Sequence, residues 1–203
     1  MTDPSCIGIV VCGGQSRRMG QDKSLMIYHE LPQRYHLAAM LQSCCNKVLL
    51  SLNPVQEDNS AYPVLVDAAP YHYAGPAAAL LTASAAFPGR DFLLLGCDYP
   101  LLDEQELHRF IKTLQQQTIA AAFYNEAAGL YEPLLAYYSA AAAHLLHAQY
   151  LEGQSSLQRL LHKVGADRYF PGHSDTIFSA DNPDAARQAR VLLAQRKKGG
   201  DLQ

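Results

Sequence analysis

The apolar positions of this chain gather into short unbroken runs rather than an alternating pattern. Residues 7–11 are apolar and largely β-branched, and the run stops at Gly13-Gly14, which predicts a strand covered on both faces and ending in a tight turn. Runs of the same character occupy residues 48–52, 64–66 and 92–95, and they end at Asn53, Asp67 and Gly96-Cys97-Asp98. Helical spacing fills the gaps. Pro32 precedes Leu37, Met40, Leu41 and Cys44, the spacing of a first crossover helix. Gly75-Pro76 opens an alanine-rich helix to about residue 86, and Asp103 caps a helix expected to run to residue 117. The second half reads as strands over residues 119–124 and 130–138 and helices over 140–150, 156–163 and 184–195. Strands alternating with helices predict an α/β fold, a doubly wound, mostly parallel sheet in three α/β/α layers. One domain is expected over residues 1–196, with halves at 1–117 and 118–196, and a polar, frayed tail beyond.

Composition narrows the class. With 203 residues, 49% apolar and 17% charged, the chain has the makings of a full core and is not a disordered polymer. No apolar run approaches the ~18 residues that cross a bilayer, so no membrane partner is expected. A net charge of −3 provides no field for a polyanion, so nucleic acid is not an expected partner and any phosphate must be held locally. The five cysteines lack C-x-x-C spacing and lie mostly in or beside apolar runs, as buried thiols do. The start Met-Thr-Asp-Pro-Ser has no basic leader, which reads as a cytoplasmic protein.

In an open parallel sheet, ligands gather beyond the carboxyl ends of the strands. Here those ends carry Gly13-Gly14, Asn53, Asp67 and Asp98. Glycines after the first strand let backbone N–H groups approach an anion, and Arg17, Arg18 and Lys23 in the same loop can neutralise phosphate oxygens. Neither the Walker A spacing nor Gly-x-Gly-x-x-Gly is present. Asp98, placed directly after an apolar strand, is costly to bury unpaired and calls for a cation. Magnesium, held by one or two carboxylates plus substrate phosphates, suits it. Asp67 is either a turn former or a ligand contact.

The string Val11-Cys12-Gly13-Gly14-Gln15-Ser16-Arg17-Arg18-Met19-Gly20-Gln21-Asp22-Lys23 resembles the signature of the molybdenum cofactor guanylyltransferases, Leu-Ala-Gly-Gly-x-x-x-Arg-Met-Gly-x-Asp-Lys. The resemblance continues through Leu52-Asn53, Asp67, Gly75-Pro76, Cys97-Asp98-Tyr99-Pro100 and Glu132-Pro133-Leu134 to Asp181-Asn182-Pro183. It implies a nucleotide-diphospho-sugar transferase-like fold with a nucleotide-binding half (residues 1–117) and an acceptor-side half (118–196). The implied activity joins GMP from GTP to the phosphate of molybdenum-molybdopterin, releasing pyrophosphate with Mg2+ as the metal. By the same resemblance Val11, Cys12, Gly13 and Gly14 line the nucleotide, and Arg18 and Lys23 meet the triphosphate. Asn53, Asp67 and Asn182 are further nucleotide contacts, and Asp98 is the magnesium ligand, with Arg18, Lys23 and Asp98 as the catalytic set. Transient contact with other molybdenum cofactor enzymes is a further implication.

Three departures stand out. Cys12 replaces the usual alanine, Ala79 stands where Gly-Pro-x-x-Gly has its second glycine, and residues 29–33 keep the proline but lack the Gly-Lys before it. A cytidylyltransferase for the same cofactor, or a sugar-phosphate nucleotidyltransferase, is the rival enzyme reading, against which Gly13-Gly14 argues for guanine. A nucleotide-binding module without transfer is the rival of another class.

Overall fold

A computed structural model describes residues 6–13 and 22–200, with residues 197–200 described by backbone alone. Seven strands form one sheet: β1 (Ile7–Val11), β2 (Lys47–Leu52), β3 (Val64–Val66), β4 (Phe92–Gly96), β5 (Ala120–Asn125), β6 (Leu130–Tyr138) and β7 (Asp167–Tyr169), in the order β3-β2-β1-β4-β6-β5-β7. Strand β6 runs antiparallel to β4 and β5, while the remaining pairings are parallel. The chain steps outward from β1 to β2 and β3, then crosses to the other side of β1 to lay down β4. That reversal opens a crevice between the carboxyl ends of β1 and β4.

Six α-helices flank the sheet: α1 (Gln33–Gln42), α2 (Ala77–Ala86), α3 (Glu104–Thr113), α4 (Ala140–Leu151), α5 (Leu157–Lys163) and α6 (Pro183–Gly200). Because side chains alternate across a strand, β1 contributes Ile7, Ile9 and Val11 to a core shared with α2, α4 and α5. Val10, on the opposite face, joins Leu93 and Leu95 under α1 and α3. This is the three-layer arrangement the pattern predicts, and burial on both faces is why its strands read as unbroken apolar runs.

Three expectations are corrected. Helix α3 ends at Thr113, because Leu114 turns extended and Thr118 folds back, its hydroxyl accepting from the Gln115 N–H at 3.0 Å. Strand β7 escapes the pattern: Asp-Arg-Tyr has no apolar alternation, and the strand sits on the sheet edge with its first two residues exposed. Residues 197–200, expected as part of a frayed tail, are helical. Helix α6 continues through Gly200, and the Arg196 guanidinium donates to the Leu101 carbonyl at 2.7 Å and pairs with Asp175.

Candidate active site

The crevice between β1 and β4 is lined first by the residues that end those strands. Cys12 continues the β1 ladder by donating its N–H to Ser51 O at 3.0 Å, and Cys97 donates to Val11 O at 3.3 Å. Their thiols, both buried, lie 3.8 Å apart, so the departure at position 12 fills space beneath the crevice with sulfur. Burial and the neighbouring Cys12 push the Cys97 thiol far above its usual range, the behaviour of an inert packing thiol. Cys45 is buried too, whereas Cys6 and Cys44 are half-buried, and all five cysteines are free.

Gly13 follows, facing Asn53 and Asp67. A Cβ at Gly13 would sit 3.6 Å from the Asn53 nitrogen and 3.7 Å from Asp67 Oδ2, so the ends of β1, β2 and β3 converge on one patch. Asp67 Oδ1 accepts from the Ser51 hydroxyl at 3.3 Å, and burial raises its pKa against that bond and the nearby His72. Asn53, expected as a nucleotide contact, forms a turn: its Oδ1 accepts from Val55 N–H at 3.0 Å.

Gln56, which sequence reasoning missed, ties this patch together. Its Nε2 donates to the Cys12 carbonyl at 3.2 Å and to Asp22 Oδ2 at 2.8 Å, while its Oε1 accepts from Asn53 N–H at 3.0 Å. Asp22 in turn caps a single 3-10 turn, Lys23–Leu25, accepting from the Ser24 N–H at 2.9 Å and the Ser24 hydroxyl at 2.7 Å. Lys23 therefore springs from a turn locked to the end of β1. Gly14, Arg17 and Arg18 lie outside the described residues.

Asp98 projects from just beyond β4. Burial raises its pKa most; the charge of Lys23 opposes that rise and the charge of Asp181 adds to it. Gly96 makes room for the carboxylate, since a Cβ there would meet Asp98 Oδ1 at 2.9 Å and Leu134 Cβ at 3.0 Å. Asp181 arrives because Ala180 N–H donates to the Asp98 carbonyl at 2.8 Å, stitching the approach to α6 onto the end of β4. Asn182, expected as a nucleotide contact, caps the helix: its Oδ1 accepts from Ala185 N–H at 2.9 Å and its Nδ2 donates to Asp181 Oδ1 at 2.9 Å. No motif spacing flags Asp181; its place is set by a backbone bond 82 residues of chain away from its partner, Ala180 to Asp98.

Beyond Asp98, Tyr99 donates its hydroxyl to Glu132 Oε2 at 2.7 Å, and Asn125 Nδ2 donates to Glu132 Oε1 at 3.4 Å. Burial raises the Glu132 pKa and the charge of Asp98 adds to the rise. Ala79 lies on α2 and is buried in the core.

The charges of Asp181 and Lys23 thus act on the Asp98 carboxylate in opposite senses. Carboxylates of this kind are the oxygen ligands that a hard divalent cation takes. Among the described residues no group of three or more His, Cys, Asp or Glu side chains forms a protein cage for a metal. No helix among the described residues is long and apolar enough to cross a membrane.

Known proteins resemble this chain in sequence and in fold. The family described as "MobA-like NTP transferase domain" matches residues 8–168. A "Molybdenum cofactor biosynthesis bifunctional protein" from Synechocystis is 32% identical over 68% of this chain, which spans 40% of that longer protein. A "Molybdenum cofactor guanylyltransferase" from Pseudomonas entomophila is 26% identical over 78% of the chain and 83% of its own length. The crystal structure of molybdopterin-guanine dinucleotide biosynthesis protein A from Archaeoglobus fulgidus superposes with a TM-score of 0.69 at 17% identity, covering 93% of this chain and 99% of that one. The family match spans well over half of the chain, and the chain belongs to the MobA-like NTP transferase domain family of nucleotidyltransferases.

Proposed function

We propose that the protein transfers GMP from GTP to the terminal phosphate of molybdenum-molybdopterin in the cytoplasm, forming molybdopterin guanine dinucleotide and pyrophosphate with Mg2+ as the metal. The observation that carries this reading is the convergence of Gly13, Lys23 and Asp98 on the crevice between β1 and β4. The guanylyltransferase identity of the relatives supports the choice of base and acceptor.

In this reading an oxygen of the acceptor phosphate attacks the α-phosphorus of GTP, the bond from that phosphorus to the β-bridging oxygen breaks, and pyrophosphate leaves. A phosphate monoester has its second pKa near ~6, so the acceptor is largely ionised at pH 7 and no strong general base is required. The protein's work is positioning and charge neutralisation. The backbone at Val11, Cys12, Gly13 and Gly14 cradles the nucleotide, with Asn53 and Asp67 at its edge. Lys23 and Arg18 meet the triphosphate. Asp98 and Asp181 would hold Mg2+, which supplies charge neutralisation for the phosphates when bound. Asn182 is a further nucleotide contact, and its amide also holds Asp181. The finished dinucleotide would pass to other molybdenum cofactor enzymes by transient contact.

The test is pyrophosphate release with molybdopterin and Mg2+ in competition among GTP, CTP and ATP. GTP should dominate turnover. A preference for CTP would make the protein a cytidylyltransferase. GTP binding that raises the melting temperature with no pyrophosphate formed would make it a binding module.

A further inference from the structure

The 3-10 turn that carries Lys23 faces a wall that the family match does not reach. That match ends at residue 168, and α6 lies beyond it. Ala186 of α6 is buried against Met26 and Tyr28, and Ala189 against Leu101 and Ala180. The helix is thus pinned both to the stretch after Lys23 and to the loop after Asp98. Arg190, one turn past Ala186, lies on the same side of the helix. It lines a groove with Asp22, Leu25, Met26 and Ile27, residues on both sides of Lys23 in the chain.

The Arg190 guanidinium is oriented yet unpaired. It stacks over the Tyr28 ring, 5.3 Å from its centre, and stacking leaves the in-plane N–H donors free. Among the described residues no carboxylate pairs with it, whereas other arginines of α6 are taken, Arg187 by Asp184 and Arg196 by Asp175. Asp22, the one carboxylate lining the groove, has both oxygens engaged, Oδ1 by Ser24 and Oδ2 by Gln56. Tyr28 shows where the groove leads. Burial raises the pKa of its phenol, the Arg190 charge lowers it and the Asp98 charge raises it. The ring therefore stands within electrostatic reach of the guanidinium on one side and of Asp98 on the other.

A fixed, unpaired guanidinium facing a lysine-bearing turn is arranged for a polyphosphate. Resting on the guanylyl-transfer reading, we propose that Arg190 is a further phosphate-binding residue, which holds the β- and γ-phosphates of GTP from the α6 side and the pyrophosphate they become. As a lone pair of the acceptor phosphate oxygen forms its bond to the α-phosphorus, the electron pair of the bond to the β-bridging oxygen stays on that oxygen. Negative charge gathers on the departing pyrophosphate, and the Arg190 fork neutralises part of it. The attacking oxygen is already ionised, so no proton transfer enters the balance.

The test uses Arg190→Gln and Arg190→Lys in the whole protein, at an exposed position where folding is not at stake. Calorimetric titration with GTP, GMP and inorganic pyrophosphate, each with Mg2+, reads the subsite without the acceptor. Loss of charge-assisted hydrogen bonds should weaken GTP and pyrophosphate about tenfold in Arg190→Gln and leave GMP within about twofold. Arg190→Lys keeps the charge without the fork and should fall between. Unchanged affinity for GTP and pyrophosphate in Arg190→Gln overturns the assignment, as does an equal loss for GMP and GTP, or a parent protein that does not bind pyrophosphate. A lower Tm with unchanged pyrophosphate affinity would make Arg190 a packing partner of Tyr28 alone and overturns it too. Should the parent bind GTP and pyrophosphate but release no pyrophosphate from GTP with molybdopterin, the guanylyl-transfer reading fails, while the titrations still decide Arg190.

Discussion

Replacing Asp98 by asparagine separates the catalytic from the structural role of that residue, because the two predict opposite signs. The carboxylate is half-buried, burial raises its pKa above the usual 3.8, and Asp181 adds to the rise while Lys23 opposes it. An acid whose folded pKa lies above its unfolded one binds its proton more tightly in the native state. Its contribution to stability is greatest below the unfolded value and declines as pH rises through the folded one. At neutral pH and without metal, the ionised Asp98 is therefore a net burden on the fold. Asparagine keeps the shape and removes the charge, so the metal-free variant should melt no lower than the parent, and about 2–4 °C higher for each kcal/mol relieved in a domain of this size. Turnover should move the other way. Loss of one electrostatic stabiliser costs roughly 10²–10³ in kcat, or ~2.7–4 kcal/mol. Thermal melts with and without Mg2+ and GTP, beside pyrophosphate-release kinetics, measure both signs. The upward shift in melting temperature produced by Mg2+ and GTP together should shrink in the variant. A variant that melts much lower than its parent yet turns over normally with Mg2+ would refute the reasoning, since it would make Asp98 a structural partner and not a metal ligand.

Three further outcomes follow from neighbouring residues. Gly96→Ala puts a Cβ 2.9 Å from Asp98 Oδ1 and 3.0 Å from Leu134 Cβ; overpacking typically costs 1–3 kcal/mol, so roughly that loss in denaturant melts should accompany a drop in kcat. Gly13→Ala meets only ordinary contacts at 3.6 and 3.7 Å, so its melting temperature should stay unchanged while the shift produced by GTP falls. Gln56→Leu removes the bonds to the Cys12 carbonyl and Asp22. Because Gln56 acts through the turn that carries Lys23, the variant should raise the GTP KM more than it lowers kcat, and Gln56→Glu, which loses the same two donations, should not restore it.

The parallel strands were legible because burial on both faces leaves an unbroken apolar run, as in residues 92–95, and a polar residue at each carboxyl end marks the crevice. The place of Asp98 just past β4 was legible for the same reason, since it directly follows such a run. What escaped depends on contacts that no local pattern encodes. Strand β7 is held by pairing with β5, Ala121 to Asp167 and onward, and not by any apolar alternation of its own. Asp181 reaches Asp98 through a backbone bond from Ala180, and its neighbour Asn182, the conspicuous polar residue by resemblance, serves the helix. Gln56 reads as one more polar residue in a loop until the fold brings it across to Cys12. Arg196 lies one residue past the helix that the pattern predicts, yet it binds the Leu101 loop to the approach of α6.

The account turns on a divalent ion shared between protein carboxylates and a bound triphosphate. Crystals grown with GTP and Mn2+, with data collected at the manganese absorption edge, would locate that ion directly. An anomalous peak within coordinating distance of Asp98 and Asp181, with the triphosphate lying over Gly13 and Lys23, is the expected result. Nucleotide bound with no peak beside Asp98, or a peak held by other residues, would contradict it.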